Sequence, residues 1–162
     1  MIALRTIIFS IFVPGMVAGG IPFWYLDETR RLAFSAPLAF PWAIGIIPFA
    51  VGIAFYLWCA GEFTFRGKGT PAPIDPPSML VVKGPYRLTR NPMYCAVLST
   101  ILGEAIYFRS PMLGVYAVML CALFHLFIIS YEEPTLQRMF GHAYTQYRQS
   151  VPRWVHLWLV SK

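Results

Sequence analysis

Three stretches of this chain carry almost no charge, and each is long enough to cross a bilayer. Thr6 to Leu26 and Leu32 to Gly61 contain no charged side chain, and Ser110 to Tyr131 contains none besides a single histidine, His125. A helix needs about 20 apolar residues to traverse the hydrocarbon core. The pattern predicts an all-α polytopic membrane protein with spans near 6–26, 41–60 and 111–131. A fourth span, near 92–108, is shorter and carries Glu104. Pro14, Pro22 and Pro48 predict kinks of the kind membrane helices tolerate.

Composition agrees: charged residues make up 12% of the chain, against about 25% in a soluble domain. The 162 residues allow one compact unit, read as a single membrane domain. The net charge of +6 does not indicate nucleic acid, because the basic residues lie between apolar runs and form no patch with interleaved aromatics. Cys59, Cys95 and Cys121 lie in or beside apolar runs and read as small buried hydrophobes; they form no thiol set for zinc. The first twenty residues share features with a signal peptide, but the apolar run continues to Leu26, beyond the usual core of about 7–15 residues. A retained helix is expected.

Orientation follows from the basic residues. With the N-terminus inside, the inner segments hold Arg5, Arg66, Lys68, Lys83, Arg87, Arg90, Arg138, Arg148, Arg153 and Lys162, and the outer ones Arg30, Arg31 and Arg109. Ten against three predicts both termini on the cytoplasmic side. The 61–91 loop, the start of the third span and the C-terminal tail then share one face of the membrane.

The inner loop opens with a proline-rich run at 67–77, a stiffened connector without a phosphate-binding Gly-Lys-Ser/Thr helix start. Asn91-Pro92 reads as N-cap and first position of the next helix. In the tail, Leu136, Phe140, Tyr144, Tyr147 and Val151 recur at helical spacing, predicting an amphipathic helix over 135–153. The pattern alone favours a helix at headgroup level, with Trp154 and Trp158 as anchors; a lid over a membrane-surface site is the functional alternative.

Polar groups in spans are candidates for function. His125 and Glu132 are seven apart and would share a helix face. Glu132 and Glu133, at a helix C-terminus, oppose the helix dipole and call for a partner or for interfacial water. Glu104 reads as a structural or neutral acid, and Arg87 as a basic anchor. Arg90 directly precedes the helix cap, within reach of Glu132 or a ligand carboxylate.

The segment Gly84-Pro85-Tyr86-Arg87-x-x-Arg90-Asn91-Pro92-Met93-Tyr94, with Glu132-Glu133 following 38 residues after Tyr94, resembles the isoprenylcysteine carboxyl methyltransferase family and its phospholipid methyltransferase relatives. Phe140-Gly141-x-x-Tyr144-x-x-Tyr147-x-x-x-Val151-Pro152-Arg153 is similar to the tail of that family. The resemblance covers about 62–154. It implies an S-adenosylmethionine-dependent membrane methyltransferase, its cofactor pocket built at the cytoplasmic face under the C-terminal helix. Leu80, Val81, Tyr86, Asn91, Pro92, Met93, Tyr94 and Glu132 are the implied cofactor-binding residues. Arg90 and His125 are the catalytic candidates, His125 as a general base if the acceptor is an amine or hydroxyl.

Two departures bear on the substrate. Asn91 stands where the eukaryotic enzymes carry histidine, and Ile128 stands where they carry an arginine for substrate. The chain resembles the short bacterial or archaeal form, which places it in the plasma (inner) membrane with a lipophilic or small-molecule acceptor. No protein partner is inferred. A phospholipid N-methyltransferase is the neighbouring alternative. A sterol-reductase-like NADPH-binding protein is the more distant one; such proteins usually carry Arg-Asp and a cysteine where this chain has Glu132-Glu133-Pro134. A channel or transporter subunit is disfavoured because polarity clusters at one membrane face.

Overall fold

A computed structural model describes residues 2–26, 42–67 and 79–155. Residues 68–78 of the expected connector, residues 27–41 with Arg30 and Arg31, expected on the outer side, and Trp158, expected as an anchor, lie outside the described residues. Among the described residues there is helix and no strand. Six α-helices follow one another: α1 (Ile2–Phe12), α2 (Ile21–Tyr25), α3 (Ile46–Glu62), α4 (Pro92–Tyr107), α5 (Pro111–Phe127) and α6 (Glu133–Ser150).

Three helical runs are long and apolar enough to cross a membrane: Leu4–Tyr25, Ala43–Phe65 and Pro111–Ser150. Their outward faces are apolar, with Phe12 68%, Trp24 79% and Val118 70% exposed. Patches of that kind suit lipid, not water. The third run has 40 residues but is not one helix: Gly141, at φ 51 and ψ -121, breaks it, so the helix predicted over 135–153 is kinked there; the part before Glu133 alone fills a bilayer. α4 is an apolar helix of 16 residues, about 24 Å long and slightly short of that thickness.

The prolines act differently from one another. Val13 is a turn, and beyond Pro14 the chain winds as a π-helix over Met16–Gly20 before α2. Pro48 instead falls in the first turn of α3, after a 3-10 turn at Trp42–Gly45. There a missing N–H is cheap, so the expected kink at Pro48 is replaced by a helix start.

α3 and α4 pack backbone to backbone. A Cβ on Gly103 would lie 2.5 Å from the Phe49 amide nitrogen and 2.6 Å from the Gly45 carbonyl, and one on Gly52 would lie 2.7 Å from the Ala96 carbonyl. Small residues permit this approach where lipid removes any hydrophobic drive between helices. Gly103→Leu is therefore expected to cost about 2 kcal/mol or more through overpacking. A titration of unfolding in mixed detergent micelles checks this, with Gly114→Ala, which has open space around it, as the unaffected control.

The antiparallel helices divide the molecule into two ends. Leu26, Phe108 and Leu113 cluster at one. At the other, the Thr64 hydroxyl donates to Thr6 at 3.1 Å, and Cys59, Val81, Tyr86, Tyr144, Tyr147 and Val151 form a buried cluster. Apart from Glu104, which lies toward the first end, the polar residues singled out in the sequence and described by the structure collect toward this second end.

Candidate functional site

The site begins with the turn before α4. Gly84 has φ +59 and would press a Cβ to 3.1 Å from Glu62 Oε1, so both backbone angle and space favour glycine. Gly84–Arg87 then forms a 3-10 turn that drops Tyr86 into the interior, its ring 5.5 Å from that of Phe63. Burial pushes the Tyr86 hydroxyl well above its ordinary value, keeping it neutral.

The tail is stitched onto this turn. Tyr147 donates its hydroxyl to the Tyr86 carbonyl at 2.7 Å. The Arg90 amide donates to the Pro152 carbonyl at 2.9 Å. Thr89 Oγ1 and Asn91 Nδ2 both donate to the Arg153 carbonyl, at 2.8 and 2.9 Å. The predicted stripe of Leu136, Phe140, Tyr144, Tyr147 and Val151 packs into or against the cluster around Tyr86. Asn91 does occupy the N-cap position of α4, but its side chain makes no cap bond; its amide is committed to the tail instead.

The paired acids face two different partners. Tyr94 donates its hydroxyl to Glu132 Oε2 at 2.8 Å. Glu133 accepts from Arg153 Nε and Nη2 at 2.7 and 2.9 Å and pairs with Arg90 Nη1 at 3.0 Å. Burial raises the Glu133 carboxyl, but the Arg153 hydrogen bond and the charges of Arg90, Arg153 and Arg148 outweigh it and hold it below the ordinary carboxylate value. Its contribution to folding is present above that ordinary value and is lost as pH falls through the lower folded one. Arg90 thus meets Glu133, not the expected Glu132. Its guanidinium also lies 3.4 Å from the Tyr144 hydroxyl, while its buried Nε–H has no hydrogen-bond partner.

Several of these residues help to wall a cavity of about 410 Å³, within the usual range of about 300–1,000 Å³ for small-molecule sites. One end is polar: Tyr86, Arg90, Asn91, Tyr94 and Glu132, with Pro92 and Met93. The other is apolar and runs to membrane depth between α1, α3, α4 and α5, lined by Phe9, Val13, Pro14, Val17, Val97 and Phe124. The Tyr94 and Phe124 rings stand 4.5 Å apart between the two ends.

Of the ten sequence-derived site residues, seven line the cavity, Tyr86, Arg90, Asn91, Pro92, Met93, Tyr94 and Glu132, and Val81 is buried in the same cluster as Tyr86. Leu80 packs against the same cluster. His125 stands apart from the cavity wall: its Nδ1 accepts from Trp154 Nε1 at 3.1 Å, with the rings stacked at 6.2 Å. The expected common face of His125 and Glu132 is broken by a π-helical turn over Ile128–Glu132. A wider turn advances each residue by a smaller angle, so seven residues no longer return to the same side. Trp154 binds His125 and does not serve as a free anchor. Glu104 has one buried carboxyl oxygen without a hydrogen-bond partner. Sequence reasoning did not find the α1 wall or Tyr56, which enter the cavity from outside the 62–154 region; nothing but the apolar run marked them.

Comparison with known proteins gives two kinds of match. The family model described as Phospholipid methyltransferase matches residues 41–143. Protein-S-isoprenylcysteine O-methyltransferase A of Arabidopsis thaliana is 36% identical over 72 residues, covering 44% of this chain and 36% of the relative. Protein-S-isoprenylcysteine O-methyltransferase B of the same plant is 32% identical over 73 residues, covering 45% of this chain and 37% of the relative. The matched stretches thus span little more than a third of each relative's length. No solved structure matches. The family match runs from the second apolar run through the Arg90–Tyr94 turn and the paired acids into α6, and the chain is a member of the phospholipid methyltransferase family.

Proposed function

We propose that this chain is an S-adenosylmethionine-dependent membrane methyltransferase with a lipophilic acceptor. The observation that carries the reading is the two-ended cavity: a polar inner end and an apolar outer end meeting at Tyr94 and Phe124. The polar end suits a charged nucleoside cofactor arriving from the cytoplasm. The apolar end suits a chain arriving sideways from the bilayer.

The residues present fit the cofactor. Arg90, on the cavity wall, offers a positive charge to a carboxylate. Glu132 offers an anion fixed by the Tyr94 hydroxyl, and the faces of Tyr86, Tyr94 and Phe124 offer π-surface to a sulfonium. Leu80, Val81, Asn91, Pro92 and Met93 complete the inner wall or back it. When bound, S-adenosylmethionine supplies a methyl group already activated by positive sulfur. The chain's task is then to align donor and acceptor and to exclude water. Apolar walls from α1, α3 and α5 do the second. With His125 engaged by Trp154 and absent from the wall, the site favours an acceptor that needs no histidine base, a carboxylate or thiolate. His125 is then a support for the tail and not a base. Phospholipid amines remain the runner-up acceptor, supported by the family match.

The proposal includes the membrane arrangement: four spans with α4 as the short one, both termini cytoplasmic, and α6 lying over the inner end of the cavity. Titration of the purified protein in detergent with S-adenosylhomocysteine tests the cofactor, and mass spectrometry of lipid extracts after incubation with S-adenosylmethionine tests the acceptor. Micromolar binding with a methylated lipid product is the expected result; no binding, or binding of NADPH in its place, defeats the reading.

A further inference from the structure

We infer that Glu133 and Arg153 are a positioning pair, a clasp that holds the tail against the 86–91 turn and so fixes Arg90 and Asn91 at the polar end of the cavity. The inference rests on the cofactor reading for one of its two readouts and stands free of it for the other.

Neither residue of the pair lines the cavity. Arg153 grips Glu133 through two guanidinium nitrogens at 2.7 and 2.9 Å, the bidentate arrangement that fixes direction as well as distance. The same residue's carbonyl accepts from Thr89 and Asn91, the two residues flanking Arg90. Its neighbour Pro152 accepts from the Arg90 amide. Arg153 is thus tied by its side chain to the start of α6 and by its backbone to the start of α4. Glu133 completes the loop by pairing with the Arg90 guanidinium at 3.0 Å.

The consequence concerns Arg90. One carboxylate is shared by two arginines, and the bonds to Glu133 and Tyr144 take the terminal nitrogen Nη1. Nε is buried without a hydrogen-bond partner, while the residue itself lines the cavity. If Arg153 lets go, Asn91 loses its side-chain acceptor, the Arg90 amide loses Pro152, and the two residues are free to reorient while α4 itself persists.

The experiment compares Arg153→Met, Arg153→Lys and Glu133→Gln with a control, Arg138→Met, on the exposed side of α6. Hydrogen exchange measured by mass spectrometry follows the amides at 89–91, and calorimetry follows S-adenosylhomocysteine. Arg153→Met is expected to speed exchange at 89–91 by about tenfold or more with the rest of α4 unchanged, and to weaken the ligand by about tenfold. Arg153→Lys should recover part of both, and the Glu133→Gln/Arg153→Met double variant should be no worse than the worse single one. If the Met variant does not fold, the Lys variant carries the same comparison. Unchanged exchange at 89–91, or faster exchange spread equally through α3 and α4, overturns the clasp. A wild-type protein that binds no S-adenosylhomocysteine defeats the cofactor reading instead, and the exchange result still decides the clasp.

Discussion

Replacing Glu132 with glutamine is expected to weaken S-adenosylhomocysteine binding by roughly 10- to 100-fold while the protein stays folded. Glutamine keeps the size of the side chain and an oxygen that can still accept from the Tyr94 hydroxyl, now 2.8 Å from the carboxylate. What disappears is the negative charge at the cavity wall. A hydrogen bond to a charged group is worth about 1.5–3 kcal/mol, and each 1.4 kcal/mol is about tenfold in affinity. Calorimetry in detergent reads the affinity, and a melting curve on the same sample reads the fold. Equal affinity in variant and wild type would remove Glu132 from the cofactor site. A loss of melting temperature without loss of affinity would make it a structural partner of Tyr94.

Arg90→Met is expected to have a second large effect, on stability and activity together. Removing one member of a buried pair costs about 3–5 kcal/mol when its partner is left uncompensated. Glu133 keeps Arg153, so the lower part of that range applies. Activity should fall by about 100-fold or more, because the positive charge at the cavity wall is lost. Arg90→Lys should restore little: a lysine ammonium cannot offer a terminal nitrogen to Glu133 and Tyr144 while presenting a separate donor behind it. The checks are unfolding in detergent and transfer of labelled methyl from S-adenosylmethionine to a lipid extract. Wild-type values in both would reduce Arg90 to a basic anchor at the membrane boundary.

The membrane character of the chain was legible because it is written in composition. Charge-free runs bound the helices within a few residues, and Pro92 and Pro111 mark the starts of α4 and α5. Tyr94 and Glu132 were legible as a pair only through the family-like spacing, since periodicity cannot bring residues on separate helices together. Three features were not legible. The π-turn at Ile128–Glu132 looks like any apolar helical sequence and moves His125 away from Glu132. The commitment of Asn91 to the tail depends on a backbone carbonyl, which no side-chain pattern reveals. The α1 wall depends on which face of an evenly apolar helix turns inward, and lipid exposure removes the alternation that would mark it.

The π-turn also bears on how sequences of this kind are aligned. Such a turn contains one residue more than the α-helix it interrupts. A relative that lacks a residue anywhere between Phe127 and Glu132 would close into regular helix there. Everything downstream, the paired acids and α6 included, would then be offset by one position relative to the membrane-embedded half of α5. Because the π-turn absorbs its extra residue, the acid pair would keep its aim while its sequence number moved by one, and only a gap placed in that short interval would align the two proteins' acids.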